Sequence, residues 1–172
     1  MTIDELQDCI QLYGNDIYSF CRQLVCDRQE ADDLYQDTFL LAVEHLNRLD
    51  ASKNPKSYLL SAALRIWKNK KRKFAWRQRI APTGGSIDEA KDFISPVPTA
   101  EELVICAEER DIVSSAVQRL DDKYRIPILL YYTEQLSVGE IASMLALPAG
   151  TVKSRLHSAR KILERELEVF FS

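Results

Sequence analysis

A helical rhythm runs through this sequence with one long interruption, and that interruption constrains the fold more than any other feature. Ala81-Pro82-Thr83-Gly84-Gly85-Ser86 is followed by Ser95-Pro96-Val97-Pro98-Thr99. Proline removes a backbone donor and clashes with the preceding turn, so no helix runs through either cluster, whereas a linker can. On both sides apolar residues recur at helical spacing, and no stretch alternates apolar and polar long enough for a convincing strand. The expected architecture is all-α: two small helical domains, 1–80 and 101–172, joined by a Pro/Gly-containing linker at 81–100. A length of 172 residues allows one ordinary domain or two small ones. The presence of only 5 Gly and 6 Pro argues against an all-β chain rich in tight turns. Hydrophobic residues at 46% are too many for a disordered chain. No apolar run approaches a membrane span, and Met1-Thr2-Ile3-Asp4-Glu5 does not resemble a signal peptide, so a cytoplasmic location is expected.

Local signals place the elements. Thr2 and Glu5 form a capping box for a first helix expected to end near Gly14, with a second from about Asn15 to Cys26. Asp27, with Glu30 three residues on, caps a third to about Asn47; its inward stripe is Ala31, Leu34, Thr38, Leu41, Ala42 and His45 or Leu46. Asn54-Pro55 pairs a cap with proline at the first helical position and opens the fourth. In the second half, helices are expected at about 100–119, 122–134, 137–146 and 149–167, with Ser137 and Glu140 as another capping box. Pro127 should cost its helix a hydrogen bond and bend it.

The formal net charge of −3 argues on its face against a polyanion partner. Its distribution argues the reverse. Residues 1–52 carry net −8, 53–79 net +10 with no acidic residue, 80–122 net −7 and 123–172 net +2. A block with ten cations in 27 residues repels itself unless a partner compensates it. A second acid-free stretch, Ile141 to Leu163, contains Lys153, Arg155, Arg160 and Lys161. Two basic surfaces on an acidic body fit two contacts with nucleic acid.

The most specific pattern is Leu136 to Leu163. A short helix with Val138, Ile141, Ala142 and Leu145 inward, a turn at Ala146-Leu147-Pro148-Ala149-Gly150 and a long basic helix from Thr151 describe a helix-turn-helix over about 137–160. At about 100° per residue, Val152, Leu156, Ala159 and Leu163 share one arc. Lys153, Ser154, His157, Ser158 and Lys161 share the opposite one, with Arg155 and Arg160 at its flanks. Small polar and basic residues near a helix N-terminus suit a major groove: they do not clash, do not repel phosphate and offer donors to base edges. An ordinary helical hairpin with a basic surface is the plainer alternative.

In the fourth helix Leu59, Ala62, Ala63, Ile66 and Trp67 face inward, while Arg65, Lys68 and Arg72 share the outward face. Lys70, Lys71, Lys73, Arg77 and Arg79 extend the charge, and Phe74 and Trp76 interleave aromatics that either stack on unpaired bases or pack. The acidic third helix, Glu30 to Leu40, admits three readings: a solvated face, a docking surface for a partner, or a divalent cation site at Asp33 and Asp37. No His or further carboxylate is placed to complete the last of these, and no catalytic cluster is evident. Cys9, Cys21, Cys26 and Cys106 lack metal-knuckle or redox spacing and are expected as reduced thiols, so neither metal nor cofactor is expected.

Ala31-Asp32-Asp33-Leu34-Tyr35-Gln36-Asp37-Thr38-Phe39, Asn54-Pro55 with Ser57-Tyr58-Leu59, Leu120-Asp121-Asp122-Lys123-Tyr124-Arg125, and Gly150-Thr151-Val152-Lys153-Ser154-Arg155-Leu156-His157-Ser158-Ala159-Arg160 together resemble the extracytoplasmic-function (ECF) sigma factors of bacterial RNA polymerase. The chain departs from that pattern at Leu64-Arg65, Asn69, Pro127 and Ser158. The resemblance implies a dissociable specificity subunit that binds core polymerase and directs promoter-specific initiation. Asp33, Leu34, Gln36, Asp37 and Leu40 would bind core polymerase. Asp50, Ser52 and Lys53, in the loop after the third helix, would capture a flipped base of the minus-ten element, with Arg65, Lys68 and Arg72 along the melting helix. Thr151, Lys153, Ser154, Arg155, His157, Ser158, Arg160 and Lys161 would read the minus-thirty-five element. Promoter DNA, duplex and melted, is then the ligand; an anti-sigma factor, often membrane-bound, is a further partner. Polymerase performs the chemistry, so no catalytic residue is expected. The rival reading is a helix-turn-helix regulator with a ligand- or partner-sensing N-terminal domain, which leaves the block at 53–79 and the acidic helix without a purpose.

Overall fold

The computed structural model describes residues 2–46, 54–80 and 102–171. The expected linker at 81–100 and the loop bearing Asp50, Ser52 and Lys53 lie outside the described residues. The chain divides into two compact units, Met1–Asp92 and Phe93–Ser172. Among the described residues there are helices and no strands.

The first unit packs three helices against one another: α1 (Ile3–Leu24), α2 (Arg28–Glu44) and α3 (Pro55–Ile80). The capping box of α1 is formed in full, with the Glu5 N–H donating to Thr2 Oγ1 at 3.2 Å and the Thr2 N–H to Glu5 Oε2 at 2.7 Å. Asp27 caps α2 by accepting the Glu30 N–H at 2.8 Å, and Asn54 caps α3 by accepting the Ser57 N–H at 3.3 Å. The core consists of Leu6, Cys9, Ile17, Phe20, Cys21 and Leu24 from α1, Ala31, Leu34, Thr38 and Ala42 from α2, and Leu59, Leu60, Ala62, Ala63, Leu64 and Trp67 from α3. Thr38 enters this core with its hydroxyl satisfied, donating to the Leu34 carbonyl at 2.6 Å.

Two expectations need correction here. There is no break at Gly14: α1 is one helix of 22 residues, and Gly14 is buried inside it with negative φ. The glycine gives room to α2, since a Cβ at that position would lie 3.0 Å from the Tyr35 hydroxyl. The second concerns α3: Ile66 of the predicted stripe is only half-buried, while the helix buries Leu60 and Leu64 together with Leu59, Ala62, Ala63 and Trp67. It lies against both α1 and α2, so more than one of its faces is covered.

The second unit comprises α4 (Glu102–Arg119), α5 (Asp122–Ile128), α6 (Val138–Leu145) and α7 (Ala149–Phe171). Every residue from Arg125 to Leu130 is buried, as befits a helix enclosed on all sides. The predicted helix 122–134 is not regular: after Pro127 it passes at Leu129 into a π-helical turn, Leu129–Thr133. That turn closes with the Glu134 N–H on the Leu129 carbonyl at 3.1 Å. Proline costs the ladder a donor, and a π turn is one way for a helix to absorb the misfit. α7 packs against α4, α5 and α6, and Arg119 pairs with Glu166 at 3.2 Å across α4 and α7.

Candidate docking and nucleic-acid surfaces

On α2, Asp33, Gln36, Asp37 and Leu40 fall within about 100° of arc. Asp33 and Gln36 are exposed, Asp37 is half-buried, and Leu40 is 62% exposed. Val43, one turn on, is also exposed, so the face combines carboxylates, an amide and bare apolar groups. That mixture suits a protein partner better than a metal, and among the described residues no cluster of three His, Cys, Asp or Glu could hold an ion. Leu34 does not belong to this surface. It is 1% exposed, part of the stripe that fastens α2 to the bundle, and acts as a support beneath the face. Asp32, beside it in the motif, accepts the Tyr18 hydroxyl at 2.7 Å and joins α2 to α1. This bond, with burial, holds the Tyr18 phenol above its usual range. Asp37 receives Lys70 of α3 at 2.7 Å, so the acidic face and the basic block touch at one point.

Along α3, Arg65, Lys68 and Arg72 are exposed on one face, as the spacing predicts. Arg72 donates to Asn69 Oδ1 at 3.0 Å, which steers its guanidinium along the helix. Lys71 lies over the Trp67 ring at 5.1 Å. From Lys68 to Ile80 every residue but Gln78 is exposed, and Phe74 and Trp76 are each 64% exposed. Neither aromatic packs into the bundle core.

α6 and α7 form the helix-turn-helix. Ser137 caps α6, accepting the Glu140 N–H at 3.2 Å while its own N–H donates to Glu140 Oε2 at 2.8 Å. Ile141 is fully buried; Val138, Ala142 and Leu145 are half-buried. The turn pivots on Ala146, left-handed at φ 54°, and the Leu147 N–H closes it on the Ala142 carbonyl at 3.0 Å. α7 begins at Ala149, where the helical pattern places it, so the turn stops short of the expected Ala149-Gly150 and Gly150 is helical with no special conformation. Val152, Leu156 and Ala159 are buried. Lys153, Ser154, His157, Arg160 and Lys161 are exposed; Thr151, Arg155 and Ser158 are half-buried at the margins. Tyr132, which the sequence did not single out, accepts a hydrogen bond from Arg160 Nη1 at 3.4 Å.

Cys9 and Cys21 are buried, and Cys26 is exposed. Burial pushes the Cys21 thiol up to about 12 and, with help from Asp8 and Glu5, raises that of Cys9. Such thiols are packing groups. No described helix is long and apolar enough to cross a membrane.

The Sigma-70 region 2 family profile matches residues 9–78, which span the three-helix unit, and the Sigma-70 region 4 profile matches 110–163, which include the helix-turn-helix. Among curated proteins, the ECF RNA polymerase sigma factor SigW of Bacillus subtilis is 27% identical over 168 residues, covering 95% of this chain and 89% of its own. SigM of the same organism is 29% identical over 164 residues, covering 95% and 94%. The sigma factor RpoE, solved in complex with the anti-sigma factor NepR from Bartonella quintana, shares the fold with a TM-score of 0.81 at 20% identity, covering 97% of this chain and 99% of that one. CnrH, solved with the cytosolic domain of CnrY, superposes with a TM-score of 0.67 at 20% identity, covering 95% and 87%. With both units matched in order and curated relatives aligned over nearly the full length, the chain belongs to the ECF sigma factors of RNA polymerase.

Proposed function

We propose that the two units divide the work of a promoter-specificity subunit along the surfaces described above. The exposed face of α2, with Asp33, Gln36, Asp37 and Leu40, docks on core polymerase. Arg65, Lys68 and Arg72 hold phosphates of the minus-ten region, and Asp50, Ser52 and Lys53 capture a base there. Lys153, Ser154 and His157 enter the major groove of the minus-thirty-five element, with Thr151, Arg155, Ser158, Arg160 and Lys161 around them. The domain limits that follow are 1–80 and 101–172, with 81–100 as linker. Bond-making is left to polymerase, and the protein works in the cytoplasm. Of the proteins that share this fold, RpoE has been solved with the anti-sigma factor NepR and CnrH with the cytosolic domain of CnrY, and we assign this chain an anti-sigma partner that covers the same surfaces.

The observation that carries the reading is the division of α7: Val152, Leu156 and Ala159 buried beneath an exposed row of Lys153, Ser154 and His157. Mixing the purified chain with core polymerase should give run-off transcripts from a subset of promoters. Core polymerase that transcribes the same templates equally with and without the chain would sink the proposal.

A further inference from the structure

The buried run Arg125 to Leu130 ends abruptly, and Tyr131, Tyr132 and Thr133 are exposed in succession. The change falls within the π-helical turn, a feature found mostly as single turns and frequently at functional sites. It brings two neighbouring tyrosines to the surface with their rings edge-on at 5.0 Å. Tyr132 is 52% exposed and receives Arg160 Nη1 at 3.4 Å. Burial does not account for a ring left this open, and the hydroxyl is already joined to α7.

A phenol offers one donor and accepts through its oxygen; a guanidinium only donates. The bond from Arg160 therefore uses the hydroxyl oxygen and leaves the phenolic proton directed elsewhere. Arg160 keeps N–H groups beyond the one given to Tyr132. Two donors from two helices, one of them cationic, suit an oxyanion that accepts from both. Arg160 lies two turns beyond Lys153 and on the flank of the polar arc. A DNA backbone passes there when the N-terminus of α7 is in the groove.

We infer that Tyr132 and Arg160 form a clamp on a single backbone phosphate at the edge of the helix-turn-helix. The tyrosine supplies its O–H to the phosphate and holds the guanidinium in line. This rests on α7 being the DNA-reading helix.

The test uses full-length chain assembled with core polymerase and measures affinity for promoter duplexes, with intact or scrambled upstream elements, against salt. Tyr132→Phe keeps the ring and should weaken binding by about three- to tenfold. The same factor should apply to every upstream sequence, and the salt slope should not change, because a neutral hydroxyl releases no counterion. Arg160→Ala should lower that slope by about 0.9. In the Arg160→Ala protein, adding Tyr132→Phe should cost less than about twofold more, since an unaligned hydroxyl contributes little. Arg160→Lys keeps the charge without the planar fork, so it should preserve the slope and also blunt the effect of Tyr132→Phe. Tyr132→Phe binding like the parent, or losing its full factor regardless of Arg160, overturns the clamp. A parent protein indifferent to scrambling of the upstream element overturns the reading of α7 and the clamp with it.

Discussion

The Tyr35 hydroxyl of α2 stands 3.0 Å from the point where a Cβ on Gly14 of α1 would lie, so a side chain at residue 14 would press on that hydroxyl and force it to shift by a few tenths of an ångström. The Tyr35 ring cannot easily retreat. It is edge-on to Tyr18 at 5.6 Å and to Phe39 at 4.9 Å. In an unconstrained helix Gly→Ala gains about 0.5–1 kcal/mol. Here Gly14→Ala is expected to lose about 1–2 kcal/mol through overpacking. With Tyr35→Phe in the background the same change should become neutral or favourable. Urea denaturation of the two singles and the double decides this; equal effects in both backgrounds would show that the hydroxyl is not the obstacle.

The acidic face of α2 should be separable from the fold. Gln36 is exposed and the Asp37–Lys70 pair is an open surface ion pair, worth about 0–1 kcal/mol. Gln36→Ala with Asp37→Lys should therefore leave unfolding nearly unchanged while weakening capture of core polymerase. A double variant that is pulled down as well as the parent removes this face from the interface.

On α3 the expected role of Lys68 and Arg72 is counterion release. Changing both to Ala should lower the slope of log affinity against log salt by roughly 0.9 for each phosphate no longer neutralised, measured with holoenzyme on a forked promoter. An unaltered slope means that these cations only solvate the surface.

Lys153 and Arg160 should fail in different ways. Loss of Lys153 is expected to change preference at one or two upstream positions, costing about 1–3 kcal/mol at the preferred base. Loss of Arg160 should weaken all promoters alike. Selection from a library randomised upstream, with the parent and Lys153→Ala, should return different consensus sequences; identical ones would mean that Lys153 does not read bases.

The first unit should also lose stability in alkali. Unfolded, the Cys21 thiol ionises near its ordinary value of 9.0; folded, it holds its proton to about 12 because burial disfavours the thiolate. Between these values the unfolded chain binds fewer protons, so stability falls as pH rises, by at most about 1.4 kcal/mol per pH unit for this group. Cys21→Ala will lower stability throughout, yet its curve should be flatter above pH 9. Parallel curves would place the alkaline loss elsewhere, in groups such as Tyr18 and Tyr35, whose phenols are also raised.

The caps and stripes were readable because they are local. Thr2 with Glu5, Asp27 with Glu30 and Ser137 with Glu140 each act across three residues, and each is made. Val152, Leu156 and Ala159 were legible for the same reason: one helix period sorts them. What was misread depends on partners distant in sequence. Gly14 resembles a helix stop until Tyr35 is placed beside it. Leu34 resembles part of a contact motif until α2 is laid on the bundle. Tyr132 carries no signal at all before Arg160, 28 residues later, reaches its hydroxyl. Pro127 foretold a disturbance, but not that the helix would absorb it by widening at Leu129–Thr133.

The free end of α3 behaves as a charged rod. Lys68 to Ile80 carries seven cations and no acid, and at 1.5 Å per residue it projects roughly 20 Å. Little of it is braced by α1 or α2, so its persistence as a helix depends on what neutralises it. In dilute salt the cations repel one another and the tip should fray; along a polyanion they are spaced by bound charge, and the rod stiffens. If α3 lies along DNA as proposed, binding would then show as added helical rigidity in this half of α3.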